Sequence, residues 1–135
     1  RQMCIRDSSG LASVALQRGD IAAARAQLQG AQSVIAAADF QPQNAALMRH
    51  RLVGARMQMH DGRPQDALKS LSEVIDRLEA SRTRHGALSI AYRLRGEARA
   101  AAGAHAAAEA DLRRALVIAQ ELQAGRTHSL YTGLA

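Results

Sequence analysis

The sequence predicts an all-α chain built from paired helices, and three observations carry that prediction. First, five positions recur at fixed offsets around a turn glycine: Gly96, Gly103, Ala108, Leu112 and Ala115. The small residue lies 7 before the glycine, and an alanine, a leucine and a second small residue lie 5, 9 and 12 after it. The same spacing returns as Ala12, Gly19, Ala24, Leu28, Ala31 and as Ala55, Gly62, Ala67, Leu71, Val74. Second, strand formers are scarce and no stretch alternates apolar and polar with period two. Third, thirty alanines stand against three aromatics, Phe40, Tyr92 and Tyr131, so the helices must pack closely through small side chains.

Taken in order, the octet Arg1–Ser8 fits no part of the spacing and resembles a translated sequencing adaptor. It is expected to be non-native and is set aside from fold reasoning. Ser9 to Arg18 reads as the end of a first helix with Leu11, Ala12, Ala15 and Leu16. Gly19 stops it, because glycine takes the left-handed conformation of a helix end without a Cβ clash. Asp20 is placed to cap the next helix by accepting from its free amides. That helix buries Ala24, Leu28, Ala31, Ile35 and Ala38 and gives out near Phe40, before Gln41-Pro42-Gln43-Asn44.

A second pair follows. Its first helix, 43–60, carries Ala45, Met48, Leu52, Ala55 and Met59 and ends at Asp61-Gly62. Pro64 suits the first turn of the next helix, where a missing N–H costs nothing, and Ala67, Leu68, Leu71, Val74, Ile75 and Leu78 form its apolar stripe. The third pair joins a helix over 86–102 to one over 105–123. His85 and His128 lie 43 apart and open segments with similar apolar placement, so a fourth unit is expected to begin at 127–135. Leu130 and Leu134 then have no following helix, both ends read as cut, and some self-association through the open last unit is expected. The units are about 9–40, 43–82 and 85–124.

This spacing resembles the tetratricopeptide repeat. The turn glycines are 43 and 41 positions apart, longer than the shortest form of that repeat. The chain is similar in this to kinesin light chains and to the sensor regions of large bacterial ATP-dependent transcription activators. Tyr92 stands where the family keeps a bulky aromatic, whereas Arg51 takes that place in the second pair, and no proline follows each second helix. The near-absence of cysteine gives the expectation of a reducing cytoplasm. The resemblance implies an α-solenoid of antiparallel helix pairs acting as a non-catalytic protein–protein interaction scaffold within a larger bacterial regulatory or signalling protein. It also implies a concave groove lined by first helices, at positions 13, 10, 6 and 3 before the turn glycine. Those are Arg49, Leu52, Arg56 and Met59 in the second pair, and Ile90, Arg93, Glu97 and Ala100 in the third. Guanidinium groups take carboxylates in a two-pronged fork, so the resemblance points to an acidic peptide or a chain-terminal carboxylate. The opposing reading is that arginine is common here and that Arg93 spends its charge on Glu97 one turn away.

Charge leaves a second class open. The net charge of +6 fits a nucleic-acid-binding helical module. Yet Lys69 is the only lysine, no four basic residues run together, and the few aromatics do not interleave with arginines as a stacking platform requires. Excess arginine with excess alanine is also what a GC-rich coding sequence produces. With the octet set aside no cysteine remains, which removes thiolate chemistry and fits a reducing compartment. His50 and His60, ten apart, do not share a metal-binding spacing and read as solvated or groove-lining. No catalytic residues, cofactor or metal site are expected, and no apolar run approaches the roughly 20 residues that span a bilayer.

Overall fold

A computed structural model describes residues 2–37, 41, 44–81 and 86–134, and among these the side chains from residue 4 to residue 126. Six helices account for nearly all of them: α1 Gln2–Arg18, α2 Ile21–Ala37, α3 Ala45–His60, α4 Pro64–Ala80, α5 Gly86–Ala101 and α6 His105–Leu134. Among the described residues there is no strand. The chain is all-α.

The three turn glycines are built alike. Gly19, Gly62 and Gly103 have φ of 79°, 74° and 87°, and no other residue described has a positive φ. Each glycine N–H donates to the carbonyl three residues back, on Leu16, Met59 and Ala100, at 3.0–3.1 Å. The next N–H reaches five back, to Ala15, Gln58 and Arg99, at 2.8–2.9 Å. That double bond pattern is the Schellman ending, which satisfies carbonyls the helix would otherwise leave unpaired. Two of the helix starts are capped by side chains: Asp20 Oδ1 accepts from Ala23 N at 3.1 Å, and Asn44 Oδ1 from Ala46 N and Leu47 N at 2.9 and 3.2 Å. Pro64 opens α4 at its first turn.

Three helical hairpins result, α1–α2, α3–α4 and α5–α6. They are joined in sequence order: α3 packs on α1 and α2, and α5 on α3 and α4. Among the described residues the backbone of the first hairpin does not approach that of the third, and α4 meets α6 only through side chains, Glu79 lying 4.0 Å from Arg114. The helices therefore form a row.

The template residues closest to each turn carry the packing inside a hairpin. Ala12, Ala55 and Gly96 are buried before the turn, as are Ala24, Ala67 and Ala108 after it. At the third hairpin the approach is closest: a Cβ on Gly96 would stand 2.8 Å from Leu112 Cγ and 3.1 Å from the Ala108 carbonyl oxygen. Between hairpins the core is uneven. The second and third share Leu71, Val74, Ile75, Leu78, Leu88, Leu94 and Ile118. The first meets the second largely through Ala12, Ala15 and Ala24 against Val53 and Met57.

Tyr92, on α5, donates from its hydroxyl to Glu79 of α4 at 2.8 Å, and Arg95 stacks over its ring at 5.3 Å. Burial, aided by Glu79, holds the phenol above its ordinary range.

α1 begins at Gln2, seven residues before the stretch read as helix, and Ile5 is fully buried. Ile5, Ser9, Ala12 and Ala15 follow one another at spacings of four and three, so the octet extends the same buried face. No break separates the third pair from a fourth at 127, because α6 continues to Leu134. Gly125 costs a helix interior about 1 kcal/mol and is followed by neither proline nor an Asx cap, so nothing stops the helix there. Finally, Leu112 is 42% exposed and Leu28 only partly buried, whereas Leu71 is fully buried. The leucine of the template is covered only where a following hairpin lies across it fully. The helix end near Phe40, Ala38 and His85 lie outside the described residues, as do the side chains of His128, Leu130, Tyr131 and Leu134.

Candidate functional site

The face shared by α1, α3 and α5 holds a groove of about 570 Å³. Leu52 and Val53 of α3, 4% and 8% exposed, form its floor. From α3 come Arg49 and Arg56, seven residues and so two turns apart on one stripe. From α5 come Ile90 and Arg93, and from α1 come Arg6, Ser9 and Ser13. Of the residues expected to line a groove, Arg49, Leu52, Arg56 and Arg93 are thus brought together. Met59 and Glu97 are not among the lining residues. Met59 packs partly buried against the core, and Glu97 is exposed and paired with Arg93 at 3.2 Å.

The α1 wall was missed, Arg6 because the octet was set aside and Ser9 and Ser13 because only the second and third pairs were counted, although a signal was present. The same offsets of 13, 10 and 6, counted back from Gly19, return Arg6, Ser9 and Ser13.

Four guanidinium groups, those of Arg6, Arg49, Arg56 and Arg93, line this groove, and no acidic residue does. Several arginines elsewhere are matched. Arg25 bridges to Asp61, Arg63 to Asp66, Arg95 and Arg99 to Asp111, and Arg113 to Glu109. Among the described residues no carboxylate comes within ion-pair distance of Arg6, Arg49 or Arg56. Arg56 Nη1 donates instead to Ser13 Oγ at 2.7 Å, which ties α1 to α3 across the floor. Ser9 is 4% exposed, and its hydroxyl is buried without a partner. The groove is therefore an apolar floor under a ring of cations, suited to a ligand that brings carboxylates and some apolar surface.

A second cavity of about 320 Å³ lies between α2, α3 and α4. His50 borders it, 7% exposed, with Nδ1 buried and unpartnered, while His60 is exposed. The expectation of a solvated or groove-lining His50 is corrected: its place twelve before Gly62 turns it toward α2, away from the arginine-lined face. Burial, with a smaller contribution from Arg51, holds the imidazole below its ordinary range, so it stays neutral.

Among the described residues no group of three His, Cys, Asp or Glu side chains could hold a metal ion. Likewise, no described helix is long and apolar enough to cross a membrane. No protein-family model, curated protein or solved structure matches this chain at a significant level.

Proposed function

We propose that this chain is a non-catalytic interaction module, a tetratricopeptide-like array of the long-repeat type, whose α1–α3–α5 groove binds an acidic segment or a chain-terminal carboxylate of a partner protein. The observation that carries the reading is the lining of the groove: four arginines border it and no acidic residue does, and among the described residues Arg6, Arg49 and Arg56 have no carboxylate within ion-pair distance. A row of hairpins with an open face also supports it, since such a face offers extended contact to a peptide. In this reading the module serves as the docking or sensing arm of a regulatory protein.

The test uses a fluorescein-labelled hexaglutamate peptide with a free carboxyl terminus, with hexalysine as control. Arg49→Glu combined with Arg93→Glu removes binding while circular dichroism and melting stay unchanged, because both side chains are exposed. Equal binding by that variant rules the groove out. If a labelled DNA duplex binds more tightly than the peptide, with affinity falling steeply as salt rises, the groove reads phosphates and the module is a nucleic-acid one.

A further inference from the structure

The cavity of about 320 Å³ between α2, α3 and α4 shares no lining residue with the arginine-lined groove. It lies at the joint of the first and second hairpins, where the first hairpin contributes chiefly alanines to the shared core. Part of its lining is apolar, with Ile35 on α2 and Leu47 and Ala55 on α3. Gly54 leaves the α3 backbone open there, with nothing within 4 Å of where a Cβ would stand.

Two opposite charges border the same cavity, Arg51 on α3 and Glu73 on α4. Neither has an ion-pair partner among the described residues, and they do not bridge to each other. Their offset accounts for that. Ser70 Oγ donates to Gln58 Oε1 at 3.3 Å, which fixes the register of the antiparallel pair α3–α4. Glu73, three further along α4, therefore stands level with Ala55, three back from Gln58, and Arg51 lies one more turn away. One turn holds the two charges roughly 6 Å apart along the helix axis. Beside Arg51, His50 is 7% exposed and its Nδ1 is buried without a partner. Buried polar atoms are nearly always completed by a hydrogen bond. Burial keeps this ring neutral, and a neutral imidazole with its hydrogen on Nδ1 donates to an anion at that atom.

We infer that this cavity is a second binding site, for a small zwitterion whose ammonium and carboxylate groups are separated by a short apolar chain. Arg51 and the Nδ1–H of His50 take the carboxylate, and Glu73 takes the ammonium. The methylenes between lie on Leu47 and Ala55, with Ile35 of α2 on the far side. The bound molecule thus bridges α2 to α3 and α4 and strengthens the joint between the first two hairpins.

The probe is δ-aminovalerate, with valerate and pentylamine as its two halves and glycine as a zwitterion whose charges are adjacent. By isothermal titration calorimetry at neutral pH δ-aminovalerate binds one to one. The other three bind about tenfold more weakly or not at all, the loss of one charge-assisted contact. In the imidazole NMR spectrum the His50 signal, identified by its absence from His50→Gln protein, moves on addition of the probe. Gly54→Leu fills the open space, keeps the helical circular dichroism and abolishes binding. Arg51→Gln and Glu73→Gln, at partly exposed and exposed sites, keep the fold and each weaken binding. A His50 signal unmoved by saturating δ-aminovalerate overturns the inference. So does equal binding of any of the other three compounds, or undiminished binding by the folded Gly54→Leu protein.

Discussion

Asp111, on α6, accepts both prongs of the Arg95 guanidinium from α5, each at 2.9 Å, and is itself only 4% exposed. Arg99 adds a third bond at 2.7 Å. A buried carboxylate held by two guanidinium groups is far more costly to break than to replace. Asp111→Ala leaves Arg95 uncompensated and should lower stability by about 3 to 5 kcal/mol, whereas Arg95→Met combined with Asp111→Leu should be close to neutral. Urea denaturation of the two variants checks the contrast.

Leu71 and Leu112 occupy the same template position, but their surroundings differ, so identical substitutions should diverge. Leu71→Ala removes a fully buried side chain and should cost about 2 to 5 kcal/mol. Leu112→Ala, at a site 42% exposed, should cost less than about 1 kcal/mol. Equal losses would mean that α6 is covered in the monomer.

Gly103 and Gly125 should respond to alanine with opposite signs. At Gly103 the φ of 87° belongs to the left-handed region, so Gly103→Ala should cost about 1 to 2 kcal/mol. Gly125 is helical and exposed with open space where a Cβ would go, so Gly125→Ala should raise stability by up to about 1 kcal/mol. Paired melting curves are sufficient.

His50 makes stability depend on pH. Its folded imidazole titrates below the ordinary value of 6.5 because of burial and then Arg51, so below that value the unfolded chain binds the extra proton. Stability is therefore full above pH about 6.5 and declines as the pH falls beneath it. Arg51 is the cation that sharpens the decline. His50→Gln should flatten the slope in this window. Asp61, held down by its bond to Arg25, loses its contribution only in the separate window below the usual carboxylate range.

Much of the hairpin architecture was legible because its signals are local. The Schellman bonds at Gly19, Gly62 and Gly103 close within six residues, and Asp20, Asn44 and Pro64 act within one turn. Part of the groove was legible through the resemblance, since Arg49, Arg56 and Arg93 stand at the offsets from the turn glycine that it implies. Arg6 was lost because α1 was begun seven residues too late, and Ser9 and Ser13 because the offsets were not counted back from Gly19. Met59 and Glu97 were included because a fixed offset cannot tell a side chain that faces the groove from one that turns to the core or to an i+4 partner.

The sequence by itself determined that the chain is helical, where each hairpin turns, and which small residues lie between paired helices, because these depend on backbone hydrogen bonds and steric limits within a few residues. Only the tertiary structure decided which arginines keep a carboxylate and which are left facing the groove, and why Leu71 is buried while Leu112 is not. Burial and ion pairing depend on what the neighbouring hairpin presents, and that neighbour lies some forty residues away, beyond the reach of any local spacing.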